Sequence, residues 1–369
     1  MEMKEIFYLV KDPRRDRGKI RHSLENVLRL ALLAVICCSE TYDDMEGFAE
    51  DRMDELKSKG LVSQDCGVPS ADTFRRLLNS IDPYQFNLCL HKHAKDIIDT
   101  LAEKQIAIDG KKLRGMSPSV KSAEKGLYIL NAWVAENEIC IGQIKVEDKS
   151  NEITAIPQMI WSLDITDAIV SIDAIGTQRD IASLIVARGG HYFLSLKENQ
   201  KNLLTEVQDA FRLHAPSCEW SCEERGHGRR EVRICKILPA AVLEAEAAYQ
   251  PWPHLKTIVK IERIRDIGGE CACEESFYIS DEDFPKAKYY ALLARDHWGV
   301  ENKLHYVLDV TFREDVSRVR KGYAPQNLST LRKLALALIK QMDDKRSLIQ
   351  RRKKCLRNMD YLCKVIKKG

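Results

Sequence analysis

The sequence predicts a mixed α/β sheet domain that follows an all-helical N-terminal region and contains a β-rich insertion. Three observations support this fold class. Apolar residues recur with helical spacing over residues 1–100. From residue 106 to residue 196 the pattern runs strand, hairpin, helix, strand, helix, strand, which is typical of a sheet with crossover connections. Residues 216–281 then form a run of strand-like segments, which we interpret as the insertion.

The N-terminal region contains start signals for several helices. Ser23 and Ser70 are suited to cap helices, and Pro83 suits the first turn of another. Two interpretations fit these helices: a helix-turn-helix-like DNA reader that exposes Arg75 and Arg76, or a plain helical bundle.

Five apolar runs predict the strands of the sheet. They cover residues 106–108, 127–135, 139–146, 168–172 and 191–196. Beyond the insertion we expect one long helix over 285–305, a short strand over 308–312 and a helix over 324–342. The chain thus divides into a helical domain (1–100), a sheet domain (101–340) and a basic C-terminal tail (341–369).

The composition is typical of a globular protein of roughly two domains, with its positive charge concentrated near one end. The 369 residues are 44% hydrophobic with a net charge of +3, which allows a sizeable core and roughly two domains. Residues 340–368 hold eleven Lys or Arg against three Asp or Glu, so this end is strongly basic. A basic terminus suits a partner with a phosphate backbone, although a solvated basic tail fits equally well.

Cysteine usage and hydropathy predict a cytoplasmic protein with no membrane segment. The longest apolar run, 27–38, contains Arg29 and is shorter than the roughly 20 residues that cross a bilayer. No secretion signal precedes the twelve cysteines, so we expect reduced thiols. Buried inert thiols are the simplest interpretation, and a zinc site is the alternative. The zinc candidates are Cys218, Cys222, His227, Cys271 and Cys273.

Three acidic residues form the main candidate site. Asp109 ends the first predicted strand, Asp173 ends the fourth, and Glu301 lies on the long predicted helix. If the two strands are neighbours, both aspartates emerge at one sheet edge. Converging carboxylates repel one another, and Mg²⁺ or Mn²⁺ would relieve that repulsion. Each residue alone is weak evidence, since such acids are commonly helix caps or solvated side chains.

Several neighbours of these acids are candidate DNA contacts. Lys112 and Arg114 follow Asp109, while His297 and Trp298 precede Glu301. Arg229 lies in a basic turn of the insertion and is a further candidate. For each residue the alternative is packing or simple surface charge. His297, Glu301 and His305 share one helical face, so a zinc site there is another alternative.

The chain resembles the DDE transposases of insertion sequences, and most closely the H-repeat-associated group. The resemblance covers nearly the whole length through long motifs in the family's order. These are DPRRDRGKIRHSLENVL at 12–28, GVPSADTFRRL at 67–77, AIDGKKLRG at 107–115, KVEDKSNEITAIP at 145–157, SIDAIGTQ at 171–178, GHGRREVR at 226–233, HWGVENKLHYVLDVTFRED at 297–315 and APQNLSTLRKLAL at 324–336.

The resemblance implies an RNase H-like catalytic core over 101–340 and a metal-binding catalytic triad of Asp109, Asp173 and Glu301. It also implies strand cleavage and transfer at terminal inverted repeats, by a homodimer on DNA. Related transposases carry Tyr-x-x-Arg-Trp-x-x-Glu with a later lysine. Here only Trp298 and Glu301 match that signature, as is usual in the H-repeat group. Two other functions remain open: an RNase H-like nuclease without strand transfer, and a domesticated DNA-binding protein.

Overall fold

A computed structural model describes residues 6–15, 18, 20–116, 127–147, 152–226, 229–245 and 251–368. The N-terminal part is helical, and its helices begin at side-chain caps. Ser23, Thr41, Ser70 and Asp82 each accept a backbone N–H of the helix that follows. The helices are α1 (Leu24–Ile36), α2 (Tyr42–Ser58), α3 (Ala71–Ser80) and α4 (Pro83–Ile97).

The centre of the molecule is one nine-stranded mixed sheet with the order β3-β2-β1-β4-β5-β9-β8-β7-β6. Strand β1 pairs antiparallel with β2 and parallel with β4, and β4 pairs parallel with β5. The first five strands in this order form the RNase H-like core, so the predicted fold class is confirmed. Those strands are β1 (Gln105–Leu113), β2 (Leu127–Val134), β3 (Ile139–Val146), β4 (Ile169–Ile172) and β5 (His191–Leu196).

Helices cover both faces of this core, as crossover connections require. On one face α5, α6 and α7 bury aliphatic side chains such as Ile156, Ile185 and Val207 against the strands. Their bounds are α5 (Glu152–Ser162), α6 (Arg179–Ala187) and α7 (Lys201–Leu213).

The predicted insertion forms four antiparallel strands that continue the same sheet. Its last strand pairs with β5, through partners such as Leu194 and Ile279. The insertion therefore extends the core sheet. Its strands are β6 (Cys218–Gly226), β7 (Arg229–Pro239), β8 (Thr257–Ile267) and β9 (Glu270–Ser280).

The segment after the insertion differs from the prediction in two ways. The expected single helix over 285–305 is α8 (Ala287–His297), followed by a π-helical segment, Val300–His305. The expected strand over 308–312 is wrong, because α9 (Tyr306–Val310) continues the helical path. Leu304, Leu308 and Phe312 are all buried at i, i+4 spacing, so helical packing determines this segment.

The C-terminal residues form helices that pack against the N-terminal ones. Helix α10 (Ala324–Lys340) lies in one hydrophobic core with α1, and Leu362 and Ile366 of the last helix join that core. The two further helices are α11 (Leu348–Arg357) and α12 (Met359–Lys368). The segment predicted as a basic tail is therefore largely helical, whereas the proposed division into domains stays a prediction. Among the described residues, no helix has the length and apolarity to span a membrane.

Candidate active site

The pairing of β1 with β4 brings Asp109 and Asp173 to the same place. The last parallel partners are Ile108 and Ile172, and each aspartate is the next residue of its strand or loop. Asp109 does not end β1 as predicted, because the strand continues to Leu113 against β2. The pairing with β4 does end at Ile108, so the two carboxylates emerge together as expected.

Asp173 also caps a short 3-10 turn. Its Oδ1 accepts the backbone N–H of Ile175 at 3.1 Å and that of Gly176 at 3.4 Å. Asp173 can therefore cap this turn and also belong to the site, because Oδ1 accepts both of these bonds and Oδ2 accepts neither of them.

Glu301 approaches the same edge on the π-helical segment. Gly299 lets this segment lie close to the sheet, because a Cβ there would come within 2.7 Å of the Trp133 ring. Short π-helical segments often occur at functional sites, since the extra residue in the turn changes where side chains point.

Asp109, Asp173 and Glu301 line one cleft of about 520 Å³, which we call the carboxylate cleft. His297 and Trp298 line it from the helix side, and Lys197 from the loop after β5. The structure thus brings the three predicted acids together with two of the five predicted DNA contacts.

Glu152, which was not predicted from the sequence, is a further acid beside Asp109. It is the first residue of α5, and a Cβ on Gly110 would overlap its carboxylate. Its charge also acts on Asp109. The available signal was its place in the motif at 145–157, but an acid in the first turn of a helix is common for electrostatic reasons alone.

Burial and neighbouring negative charges raise the pKa of two acids, Asp109 and Glu152. Burial, together with the charges of Asp173, Glu152 and Glu301, raises the pKa of Asp109 to about 7. Burial, followed by the charge of Asp173, raises the pKa of Glu152. A carboxylate cluster without a compensating cation in contact has this signature.

This donor set fits a hard divalent cation. Carboxylate oxygens are the ligands that Mg²⁺ and Mn²⁺ prefer, and the mutual repulsion is what a cation would remove. As the side chains stand, no three His, Cys, Asp or Glu within the described ranges are arranged to enclose a metal ion. The described residues of the two zinc alternatives are likewise not arranged to enclose a metal ion. His227 lies outside the described residues.

A buried hydrogen-bond chain holds His297 at the cleft. Its Nδ1 lies 3.0 Å from Ser171 Oγ, and Gln105 Nε2 donates to the same Oγ at 2.8 Å. Because Ser171 already accepts from Gln105, its hydroxyl proton is best placed to donate to Nδ1, which leaves the proton of His297 on Nε2. Burial lowers the pKa of His297 to about 4, so the ring is neutral at pH 7.

His305 contacts Asp109 from the other side. Its Nδ1 lies 3.5 Å from Asp109 Oδ2, and its Nε2 lies 3.1 Å from Asn131 Nδ2. Asn131 is fully buried and is the β2 partner of Asp109 in the sheet register. Burial, aided by the charges of Lys111 and Lys333, lowers the pKa of His305 to about 3.

A second charged cluster lies next to the cleft, and we call it the buried ion cluster. It consists of Lys111, Glu314, Arg332 and Lys333. Lys111 Nζ donates to Glu314 Oε2 at 2.8 Å, and Arg332 Nη1 lies 3.7 Å from Glu314 Oε1. Burial alone would raise the pKa of Glu314, but Lys111, Arg332 and Lys333 lower it to about 2.

The other predicted DNA contacts lie outside the carboxylate cleft. Lys112 alternates to the opposite face of β1 from Asp109, and its Nζ lies 5.4 Å from the centre of the Tyr128 ring. Arg114 is exposed in the turn after β1, 3.9 Å from Asp315. Arg229 is the first residue of β7 in the insertion, and its Nε lies 3.7 Å from Glu231 Oε2.

A second cavity of about 450 Å³ continues from the carboxylate cleft onto the insertion. The two share Glu274, Ser276, Tyr278 and Trp298 as lining residues, and the second cavity is also lined by Arg229, Arg233 and Arg263. Buried Glu231 lies among these arginines, with Arg263 Nε at 2.7 Å. Trp298, which is half exposed, therefore stands between the acidic site and a basic surface.

Comparison with known proteins gives consistent matches. The family model described as "Transposase DDE domain" matches residues 101–338, and the model "DDE_Tnp_1-associated" matches residues 4–94. The chain is 34% identical to "Putative transposase YncI" of Escherichia coli O157:H7, over 95% of this chain and 91% of that protein. It is 33% identical to "H repeat-associated putative transposase YhhI" of E. coli K12, over 95% and 94% of the two chains.

Proposed function

Because the chain belongs to the DDE transposase family, we propose that it catalyses metal-dependent DNA strand cleavage and strand transfer at insertion-sequence ends. The observation that carries this proposal is the convergence of Asp109, Asp173 and Glu301 on one cleft. The proposal includes Mg²⁺ or Mn²⁺ as cofactor, terminal inverted repeats as specific substrate, a homodimer on DNA and a cytoplasmic location.

The acids of the cleft have one role in this mechanism. Asp109, Asp173 and Glu301 would hold the cation through their carboxylate oxygens, and the charge of Glu152 acts on Asp109. A bound Mg²⁺ or Mn²⁺ would activate the attacking oxygen and stabilise the leaving oxygen of the phosphodiester.

The neighbouring side chains position the DNA. The neutral His297 presents Nε2–H as a donor for a phosphate oxygen, because Ser171 occupies its Nδ1. Lys197 adds a positive charge at the cleft wall, where it can pair with the DNA backbone. Trp298 offers an exposed ring for stacking on an unpaired base. The arginines along the second cavity would continue the backbone contacts away from the site of chemistry.

The test uses Asp173→Asn with the full chain and a DNA duplex that carries the sequence flanking its gene. Asparagine keeps the oxygen that caps the 3-10 turn and removes the charge, so folding and end binding should persist. Cleavage should fall on the order of 10³-fold, because a metal ligand contributes several kcal/mol to the transition state. Asp164→Asn is the matched control, since Asp164 also accepts a bond within a local turn, from Thr166.

The products separate the proposal from its rivals. Nicked ends that join to target DNA support a transposase, whereas nicking without joining indicates a nuclease. End binding without Mg²⁺-dependent cleavage in the wild type indicates a DNA-binding protein. Full cleavage by Asp173→Asn would show that the chemistry occurs elsewhere.

A further inference from the structure

His305 and Asn131 are buried polar residues that the proposed chemistry does not use, yet they lie directly against Asp109. Asn131 is 0% exposed and His305 is 9% exposed. They come from β2 and from the π-helical segment. Asn131 is the sheet partner of Asp109 on β1, and the His305 ring contacts the side chains of both. Burying polar groups costs free energy unless they form hydrogen bonds, so the partners of these two side chains indicate what they do.

The contacts of the Asn131 amide nitrogen indicate which nitrogen of His305 carries the proton. Asn131 Nδ2 is 3.4 Å from Ile129 O, which accepts, so the amide nitrogen is oriented by the strand. The same Nδ2 donates to His305 Nε2 at 3.1 Å. Nε2 must then act as the acceptor, and the ring proton lies on Nδ1.

That tautomer directs a donor at Asp109. Nδ1 lies 3.5 Å from Asp109 Oδ2, a few tenths of an ångström longer than a formed N–H···O hydrogen bond, so a small shift of either side chain would complete the bond. Lys111 Nζ also contacts the backbone carbonyl of His305 at 3.4 Å, which ties the π-helical segment to β1. The result is a chain from Ile129 O through Asn131 and His305 to one oxygen of Asp109.

We propose that Asn131 and His305 are positioning residues that hold Asp109 Oδ2 by a neutral Nδ1–H donor and so direct Oδ1 toward the cation. This inference rests on the proposed function for the identity of the cation, whereas the tautomer is a property of the metal-free protein. A donor to one oxygen of a ligating carboxylate fixes its orientation, and losing such a partner commonly costs about 10–100-fold in metal affinity or activity.

Two substitutions of His305 separate positioning from packing. The amide nitrogen of asparagine reaches the place of Nδ1, so His305→Asn keeps a donor at Asp109 and leaves Asn131 without its acceptor. The amide of glutamine reaches the place of Nε2, so His305→Gln keeps a partner for Asn131 and leaves Asp109 without its donor.

The two variants should therefore rank in opposite orders in two measurements. His305→Gln should be the more stable in thermal unfolding, because it fills the volume and satisfies Asn131. His305→Asn should keep Mn²⁺ affinity, measured by calorimetry on the DNA-free chain, and DNA cleavage within about tenfold of wild type. His305→Gln should lose about 10–100-fold in both. If affinity and cleavage instead follow stability, His305 only packs and the proposal is wrong.

The tautomer is measured directly on metal-free protein at pH 7 with ¹⁵N-labelled histidine. The chain has nine histidines, so the signals missing from His305→Asn identify residue 305. The proposal expects a protonated Nδ1 and a bare Nε2. A proton on Nε2 alone would overturn it whatever the activity. If the wild type shows no metal-dependent cleavage, the proposed function fails, while the tautomer and Mn²⁺ binding still decide the role of His305.

Discussion

Two clusters of charged side chains meet on strand β1, and the pKa values of their acids shift in opposite directions. In the carboxylate cleft, burial and three other acids raise the pKa of Asp109 to about 7. In the buried ion cluster, two positions along the same strand, Lys111 and its neighbours lower the pKa of Glu314 to about 2. Glu314 is the more deeply buried of the two acids, with a side chain 0% exposed against 16% for Asp109.

The difference shows that burial alone does not decide whether an acid is protonated. Glu314 is surrounded by cations that the fold itself supplies, so its charge is satisfied within the chain. The charge of Asp109 is not satisfied, because its acidic neighbours add repulsion to the cost of burial. We therefore interpret the buried ion cluster as structural and the carboxylate cleft as a site that requires a ligand.

The largest effect on stability should come from breaking the buried ion cluster. Glu314→Gln removes the buried counter-charge that Lys111, Arg332 and Lys333 share, and leaves only Lys111 paired with another acid of the described residues, Asp309. The free energy of unfolding should fall by about 3–5 kcal/mol in urea denaturation at pH 7. Glu223→Gln is the control, since the pKa of Glu223 is also lowered to about 2, by Arg230 and Arg225. That pair is on the surface, where water screens it, so the control should change little. Equal losses from both variants would contradict the structural role.

The charges of the carboxylate cleft should make folding less favourable as pH rises. The folded pKa of Asp109, about 7, lies above its ordinary value of 3.8, so the folded state binds more protons between these values. Stability of the chelator-treated protein should therefore decrease as pH rises from about 4 to 7, by up to a few kcal/mol. Added Mg²⁺ should restore stability at the upper end of this range, because it favours the ionised carboxylate.

Asp109→Asn isolates this contribution. The variant should lose the pH-dependent difference from wild type and gain stability in chelator at pH 8, although cleavage is lost. The measurement is thermal unfolding at several pH values with EDTA or Mg²⁺. If the stability of wild type and variant changes equally between pH 4 and pH 7, Asp109 does not have the raised pKa that its burial and acidic neighbours indicate.

The smallest of these effects should come from Glu152. Glu152→Gln should lower Mn²⁺ affinity and cleavage by about tenfold, because it removes one charge near Asp109 but none of the three predicted ligands. Glu198 lines the carboxylate cleft, so Glu198→Gln controls for the loss of a negative charge near the site. Equal effects of the two substitutions would show that Glu152 has no specific role.

Local pattern predicted most of the strands of the core and indicated three acids that the structure places at one cleft. The apolar run before Asp109 is continuous and the run before Asp173 is interrupted only by Ser171, as suits strands buried on both faces, and each run stops at its acid. By contrast, Glu152 begins a helix, where an acid is ordinary. The segment after Leu304 contains β-branched and aromatic residues that favour a strand locally, yet burial of Leu308 and Phe312 requires a helix.

The sequence by itself determined the succession of strands and helices along the chain, the position of the insertion and the residues whose chemistry suits a cation and a DNA backbone, because these follow from short-range patterns and a family resemblance. Only the tertiary structure decided what surrounds each acid. The parallel register of β1 and β4 placed Asp109 beside Asp173, and the close approach at Gly299 brought Glu301 to them. The contact of His305 with Asn131 joins residues far apart in the chain. A pKa or a tautomer depends on distances of a few ångströms between such residues, which no local pattern contains.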